Sequence, residues 1–248
     1  MNTNSENNDS LSLSFNIGSA TVRSNQAAPI VKQKVVESTP DTFSDRNPVL
    51  LIHGITDTKA VFRKMSTYLE GLGWSVHSLN LIPNNATVGL DQLAQQVADY
   101  IAKHFDPKQP LDLVGFSMGG LVSRYYIQRL GGIERVQRYV NISAPNNGTL
   151  TAYLLSRLGC VQMRPESEFL QDINRDSQML ESLKFTRLWT PFDLMIVPAT
   201  SSQMPVGKEV KIPVLIHAWM LKDQRCLKAV AAALSEPISV ACQSRNDG

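Results

Sequence analysis

Cysteine is scarce in this sequence: Cys160, Cys226 and Cys242 are the only three in 248 residues. An odd number at wide, irregular spacing describes neither a disulfide framework nor a zinc site, so reduced thiols and no metal are the expectation. Excess charge is lacking too. Lys and Arg number 24 against 22 Asp and Glu, a formal net charge of +2. No Lys/Arg cluster forms a stripe that would track phosphates, which argues against nucleic acid as a partner. No apolar run reaches the ~18 residues that a membrane-spanning helix needs. The N-terminus shows no basic segment followed by an apolar core, and it carries Glu6 and Asp9, so neither a secretory signal nor a transit peptide is visible. A cytoplasmic protein is expected, at most peripheral to a membrane.

What is present is apolar sequence in the proportion that a folded domain needs, 43%,. Its distribution divides the chain. Residues 1–45 open on Asn, Ser, Thr and acid, a stretch too polar to offset the entropy of ordering it. Within them Leu11, Leu13, Phe15 and Ile17 alternate with polar residues, as in a short strand. Residues 46–248 read as one catalytic domain, with 144–183 a candidate cap or lid insertion. In this domain strand and helix patterns alternate. The strand segments are Val49–Ile52, Trp74–Leu81, Leu111–Val114, Val136–Ile142, Phe185–Trp189 and Val210–Ile216. The helical segments are Ala60–Leu72, Leu90–Phe105, Gly120–Leu130 and Cys226–Leu234. This alternation predicts an α/β fold, a mostly parallel sheet of about six strands with helices on both faces.

The third strand runs into Gly115-Phe116-Ser117-Met118-Gly119. A serine hydroxyl can be exposed at the top of a sheet only if the chain turns sharply from strand into helix. Small residues two positions before and after it, Gly115 and Gly119, avoid clashes in that strained turn. The following helix points its positive N-terminal end at the site, where a developing oxyanion benefits. Ser117 is therefore the candidate nucleophile.

The oxyanion needs backbone donors. One is the N–H of the residue after the nucleophile, Met118. The other comes from the loop after an early strand, here His53-Gly54-Ile55, with Ile55 as donor and Gly54 allowing close approach. His53 lies too early in the chain to be the base in a Ser, acid, His order, and is expected to support the loop by hydrogen bonds.

There are four histidines. His77 falls within a strand and His104 on the polar side of a helix. His217 follows the apolar Pro213-Val214-Leu215-Ile216, beyond the end of a late strand, where a base can reach the serine. The acid should lie between Ser117 and His217, and Asp172, Asp176, Glu181, Asp193 and Glu209 are candidates. Asp193 fits best, since it follows the strand Phe185–Trp189 and the Thr190-Pro191 turn. Asp172 and Asp176 fall in a polar helical stretch and are expected to be solvated.

These segments resemble the compact bacterial triacylglycerol lipases of the α/β-hydrolase superfamily. The match rests on Val49 to Ile55, Gly115 to Gly120, Asp193-Leu194-Met195-Ile196-Val197, and Ile216-His217 with the apolar residues after it. The resemblance implies a Ser117-His217-Asp193 triad, oxyanion donors at Ile55 and Met118, hydrolysis of carboxylic esters including lipids, and no cofactor. Phe116 departs from it, since the family usually has His there, and Ala218-Trp219 replaces smaller residues. An acyltransferase or thioesterase would use the same triad, and a non-catalytic binding protein can share the fold.

Two further readings concern lipid. Leu150 to Leu158 can form an amphipathic helix over the site and meet a membrane surface transiently, or pack on the sheet. Met163, Met179, Met195, Met204 and Met220 are read as core filler.

Overall fold

The computed structural model describes residues 46–238. The alternating stretch Leu11 to Ile17, the remainder of the segment 1–45 and Cys242 lie outside the described residues.

Six strands form one sheet: β1 (Val49–Ile52), β2 (Val76–Ser78), β3 (Leu111–Phe116), β4 (Val136–Ile142), β5 (Lys184–Trp189) and β6 (Lys208–Lys211). Their order is β2-β1-β3-β4-β5-β6, and every neighbouring pair is parallel. The helices are α1 (Arg63–Glu70), α2 (Leu90–His104), α3 (Met118–Arg129), α4 (Leu158–Gln162), α5 (Glu168–Arg175) and α6 (Gln224–Leu234). The expected doubly covered parallel sheet is therefore present.

The strands are apolar on both sides because helices cover both sides. Leu50 and Ile52 pack with Leu93 and Val97 of α2 and Leu121 and Val122 of α3. Val49 and Leu51 point the other way, against Met65 and Leu69 of α1 and Leu227 and Val230 of α6. Each of these side chains is fully buried or nearly so, which contributes roughly 2 kcal/mol apiece relative to exposure.

The segment between β4 and β5 packs on the α2/α3 side, with Phe169, Leu170, Ile173 and Leu180 in that core. Arg124 of α3 ties it down. Its buried guanidinium donates to the Ile173 carbonyl at 2.9 Å, and burial pushes its pKa down to about 10.

Element bounds differ from the sequence pattern in instructive places. The first helical segment splits into a tight 3-10 turn, Lys59–Phe62, and α1. The pattern over Trp74–Leu81 shrinks to Val76–Ser78. The last strand lies earlier than Val210–Ile216. β6 is a polar edge strand, and the apolar run after it leaves the sheet, because Pro213 cannot donate to a ladder and Leu215 and Ile216 are exposed. Asp172 and Asp176 are not simply solvated: both pair with Arg129, at 2.8 and 2.7 Å.

The chain leaves β1 toward β2 on one side and returns to β3 on the other. A parallel sheet opens a crevice at such a switch point, beyond the C-terminal ends of the two strands.

Candidate active site

That crevice holds the predicted nucleophile. Ser117 sits between β3 and α3 at φ 54° and ψ −125°, a backbone region that a non-glycine residue occupies only when its surroundings force it. Two bonds hold the turn: the Ser117 N–H donates to the Ile142 carbonyl at 2.8 Å, and its carbonyl accepts from the Gly120 N–H at 2.9 Å. The flanking glycines are required by space. A Cβ on Gly115 would lie 2.7 Å from the Gly119 carbonyl oxygen, and one on Gly119 would collide with the carbonyl oxygens of Ile52 and His53. The helix start is thereby pressed against the end of β1.

This contact brings the two expected oxyanion donors to one place. Met118 is the first residue of α3, so its N–H has no intrahelical acceptor. Among the described residues the Ile55 N–H has none either. Ile55 and Ser117 line the same cavity. The loop that carries Ile55 is set by its neighbours: the Thr56 N–H donates to the Asn84 carbonyl at 2.7 Å, with Thr56 at φ 60°.

His53 supports this loop rather than acting on substrate. Its ring is fully buried, accepts the Leu81 N–H on Nε2 at 2.9 Å, and donates from Nδ1 to the Gly54 carbonyl at 2.8 Å. Those partners require the neutral Nδ1–H tautomer. Burial lowers its pKa accordingly. His77 and His104 lie away from the cleft, bonded to Ser75 and to the Tyr100 carbonyl.

The acid and the base meet across two loops. His217 begins a 3-10 turn after the apolar run, and its Nδ1 donates to Asp193 Oδ2 at 2.7 Å. The other oxygen, Oδ1, accepts the N–H groups of Met195 and Ile196, both at 2.9 Å. Asp193 is thus buried with both carboxylate oxygens hydrogen-bonded. A single hydroxyl joins the two loops, since Thr190 Oγ1 donates to the Val214 carbonyl and accepts the Val214 N–H. With hydrogen on Nδ1, His217 keeps a lone pair on Nε2. That atom is buried and has no hydrogen-bond partner among the described residues. His217 and Ser117 line one cavity of about 390 Å³, and the Phe116 ring lies 4.8 Å from the imidazole. The structure thus brings Ser117, His217, Asp193, Ile55 and Met118 to one crevice, with Gly54, Gly115, Gly119 and His53 packed beneath.

Similarity to known proteins matches this architecture. The mature lipase BlEst2 of Bacillus licheniformis superposes with a TM-score of 0.63 at 12% identity, over 77% of this chain and 93% of that one. Aspergillus fumigatus lipase B gives 0.63 at 15% identity, over 82% and 57%. The chain has the α/β-hydrolase fold. Within this hydrolase fold, residues 48–167 match the family model described as palmitoyl protein thioesterase. Palmitoyl-protein thioesterase 3 of Dictyostelium discoideum is 27% identical over 112 residues, 42% of this chain, and the matched stretch covers only 38% of that relative. The region matched by the family model, residues 48–167, contains Ile55, Ser117 and Met118 and stops before Asp193 and His217.

Three features of the cleft were missed or read differently in the sequence. Asp57 lines it. A methyl group placed on Gly54 would lie 3.1 Å from both Asp57 Oδ2 and Ser117 Cβ, so carboxyl and nucleophile flank that glycine. Burial raises the Asp57 pKa. Its only signal was a position three residues after Gly54, in a polar loop. Met195 is not core filler: it lines the cleft with Leu194, Leu215 and Ile216, and all four are exposed. Met179 is also exposed, whereas Met163, Met204 and Met220 are buried. Finally, Leu150–Leu154 forms a 3-10 turn, too tight for the expected α-helix. Leu150, Tyr153 and Leu154 are exposed on it, and Thr149 and Thr151 bond its base to the Met195 carbonyl.

Proposed function

We propose that this protein is a serine hydrolase that cleaves acyl esters through a covalent acyl-enzyme. The observation that carries the reading is the His217 imidazole, held by Asp193 in the tautomer with a free Nε2 lone pair, in the same cavity as the strained Ser117.

Ser117 Oγ attacks the acyl carbonyl and passes its proton to His217 Nε2. The backbone N–H groups of Ile55 and Met118 stabilise the oxyanion, and Asp193 stabilises the imidazolium. His217 then protonates the leaving group as its bond to the acyl carbon breaks. Water releases the acid by the reverse proton path and restores Ser117.

The acyl chain lies along the exposed rim of Leu194, Met195, Leu215 and Ile216. Exposed apolar side chains around a catalytic cleft suit a lipid chain. Leu154, with the largest exposure of this group at 82%, and Trp219 extend the same apolar character and supply a transient membrane contact,.

Thioesters are the second reading, favoured by the palmitoyl protein thioesterase match over residues 48–167. Matched octanoyl oxoester and thioester substrates, assayed together, rank the two. Ser117→Ala should abolish turnover of p-nitrophenyl butyrate and labelling by a fluorophosphonate while leaving the melting temperature within a few degrees. Retained turnover in that variant would overturn the assignment.

A further inference from the structure

A second, larger cavity of about 750 Å³ adjoins the first, sharing Asp57 and Ala218 with it. Its floor is apolar, from Val61 and Leu227, while its charged residues are unbalanced. Arg63, Lys64 and Lys222 line it against one acid, Asp57.

The cations are drawn together without a counter-charge. Lys64 Nζ donates to the Lys222 carbonyl at 2.6 Å, which holds one ammonium group close to the residue that carries the next. Asp223 is adjacent, but its charge is already used: Oδ1 and Oδ2 accept from Arg225 Nε and Nη2 at 3.0 and 2.8 Å. Among the described residues Arg63, Lys64 and Lys222 form no ion pair. Asp57 sits at the junction with the nucleophile's cavity, with its Oδ2 beside Gly54. Helices α1 and α6 both begin at this cavity, at Arg63 and Gln224, and their dipoles add positive potential there.

Arg63, Lys64 and Lys222 are exposed, so water screens their mutual repulsion, and their unpaired charges leave a positive potential on this side of the crevice that favours an anion. The acyl rim of Leu194, Met195 and Leu215 belongs to the first cavity alone. The adjoining space is therefore available to the other half of the substrate.

We propose that the 750 Å³ cavity binds the leaving group, and that this leaving group carries phosphate. The inference rests on Ser117 being the nucleophile. The acyl carbon then bonds to Ser117 Oγ, its bond to the leaving oxygen or sulfur breaks, and His217 returns the serine's proton to that atom. The released product is a phosphorylated alcohol or thiol. Phosphate suits the site because it offers several acceptor oxygens to one guanidinium and two ammonium groups.

Two matched substrate pairs test this on the full chain. Octanoyl-coenzyme A and octanoyl-pantetheine share a thioester and differ in the phosphates. Octanoyl glycerol phosphate and octanoyl glycerol share an oxoester and differ likewise. The wild type should favour the phosphorylated member of one pair by about tenfold in kcat/KM, carried by KM, as three screened ion pairs would give. The pair that shows it identifies the source of the phosphate. In R63Q/K64Q/K222Q that ratio should fall to near one, with a thermal melt reporting that the variant is folded. Added NaCl should erode the wild-type ratio. A wild-type ratio near one in both pairs, or a ratio unchanged in the triple variant, overturns the proposal. Loss of p-nitrophenyl butyrate turnover in the wild type would instead overturn the serine hydrolase reading itself.

Discussion

Replacing Asp193 with Asn separates the electrical role of this side chain from its structural one. The carboxylate makes three contacts: Oδ1 with the Met195 and Ile196 N–H groups, and Oδ2 with His217 Nδ1. Asn can keep the first two through its carbonyl oxygen. Its NH₂ then faces His217 Nδ1, which must turn acceptor and move its hydrogen to Nε2. An imidazole protonated on Nε2 cannot take the Ser117 proton. The exchange of amide for carboxylate in a Ser-His-Asp site lowers kcat by about 10⁴, which corresponds to about 5.4 kcal/mol in the barrier. The fold should hardly notice, because the loop bonds persist. Asp193→Ala makes the contrast: it abandons two buried N–H groups at about 1–3 kcal/mol each, so it should lose activity and melt lower. The assay is single-turnover acylation by p-nitrophenyl butyrate at pH 7.5, alongside thermal melts of the three proteins. A loss of less than tenfold in Asp193→Asn, with the melt unchanged, would refute the tautomer argument.

Other outcomes follow from the same geometry. His53 is buried neutral with its pKa below 6.5, so the unfolded chain binds the proton more readily. Its contribution to stability is complete above pH 6.5 and is lost as pH falls through the depressed value. The melting temperature should drop over that acid window, and His53→Gln should flatten this part of the slope. Gly119→Ala forces a methyl group into the Ile52 carbonyl and should yield little folded protein, measured as soluble expression and circular dichroism. Leu194→Ser with Ile216→Ser removes apolar rim from the cleft and should raise KM several-fold for octanoyl esters with little change for acetyl esters, since each lost methylene contact is worth roughly 0.8 kcal/mol or less. Cys160 and Cys226 are buried, which raises both thiol pKa values. Neither should react with iodoacetamide until the protein is unfolded.

The candidate site was legible because the chemistry proposed for it constrains sequence locally. A serine between two glycines at a strand end, a histidine after an apolar run and an aspartate after a strand and a Thr-Pro turn are short-range signals. The structure puts Ser117, Asp193 and His217 where those signals pointed. The supporting role of His53 was readable by elimination, although its partner Leu81, 28 positions away, was not. Signals failed where the same pattern has two physical meanings. The apolar run Ile212 to Ile216 reads as a buried strand, yet it leaves the sheet and exposes Leu215 and Ile216 beside the cleft. Met195 resembles core filler until its neighbours are known. Asp57 and the group Arg63, Lys64 and Lys222 gave no warning, because charged residues in a loop or on a helix surface look solvated unless their distant neighbours are seen.

The Thr190 hydroxyl has a practical consequence for redesign. By grasping both backbone groups of Val214, it ties the arm bearing the carboxylate to the arm bearing the imidazole. The exposed apolar side chains that line the cleft, Leu194, Leu215 and Ile216, project from those arms without forming part of the clasp. On the proposed function, side-chain exchange at these positions should change chain-length preference while leaving the Asp193–His217 hydrogen bond in place. Changes at Thr190 would instead blunt every substrate alike.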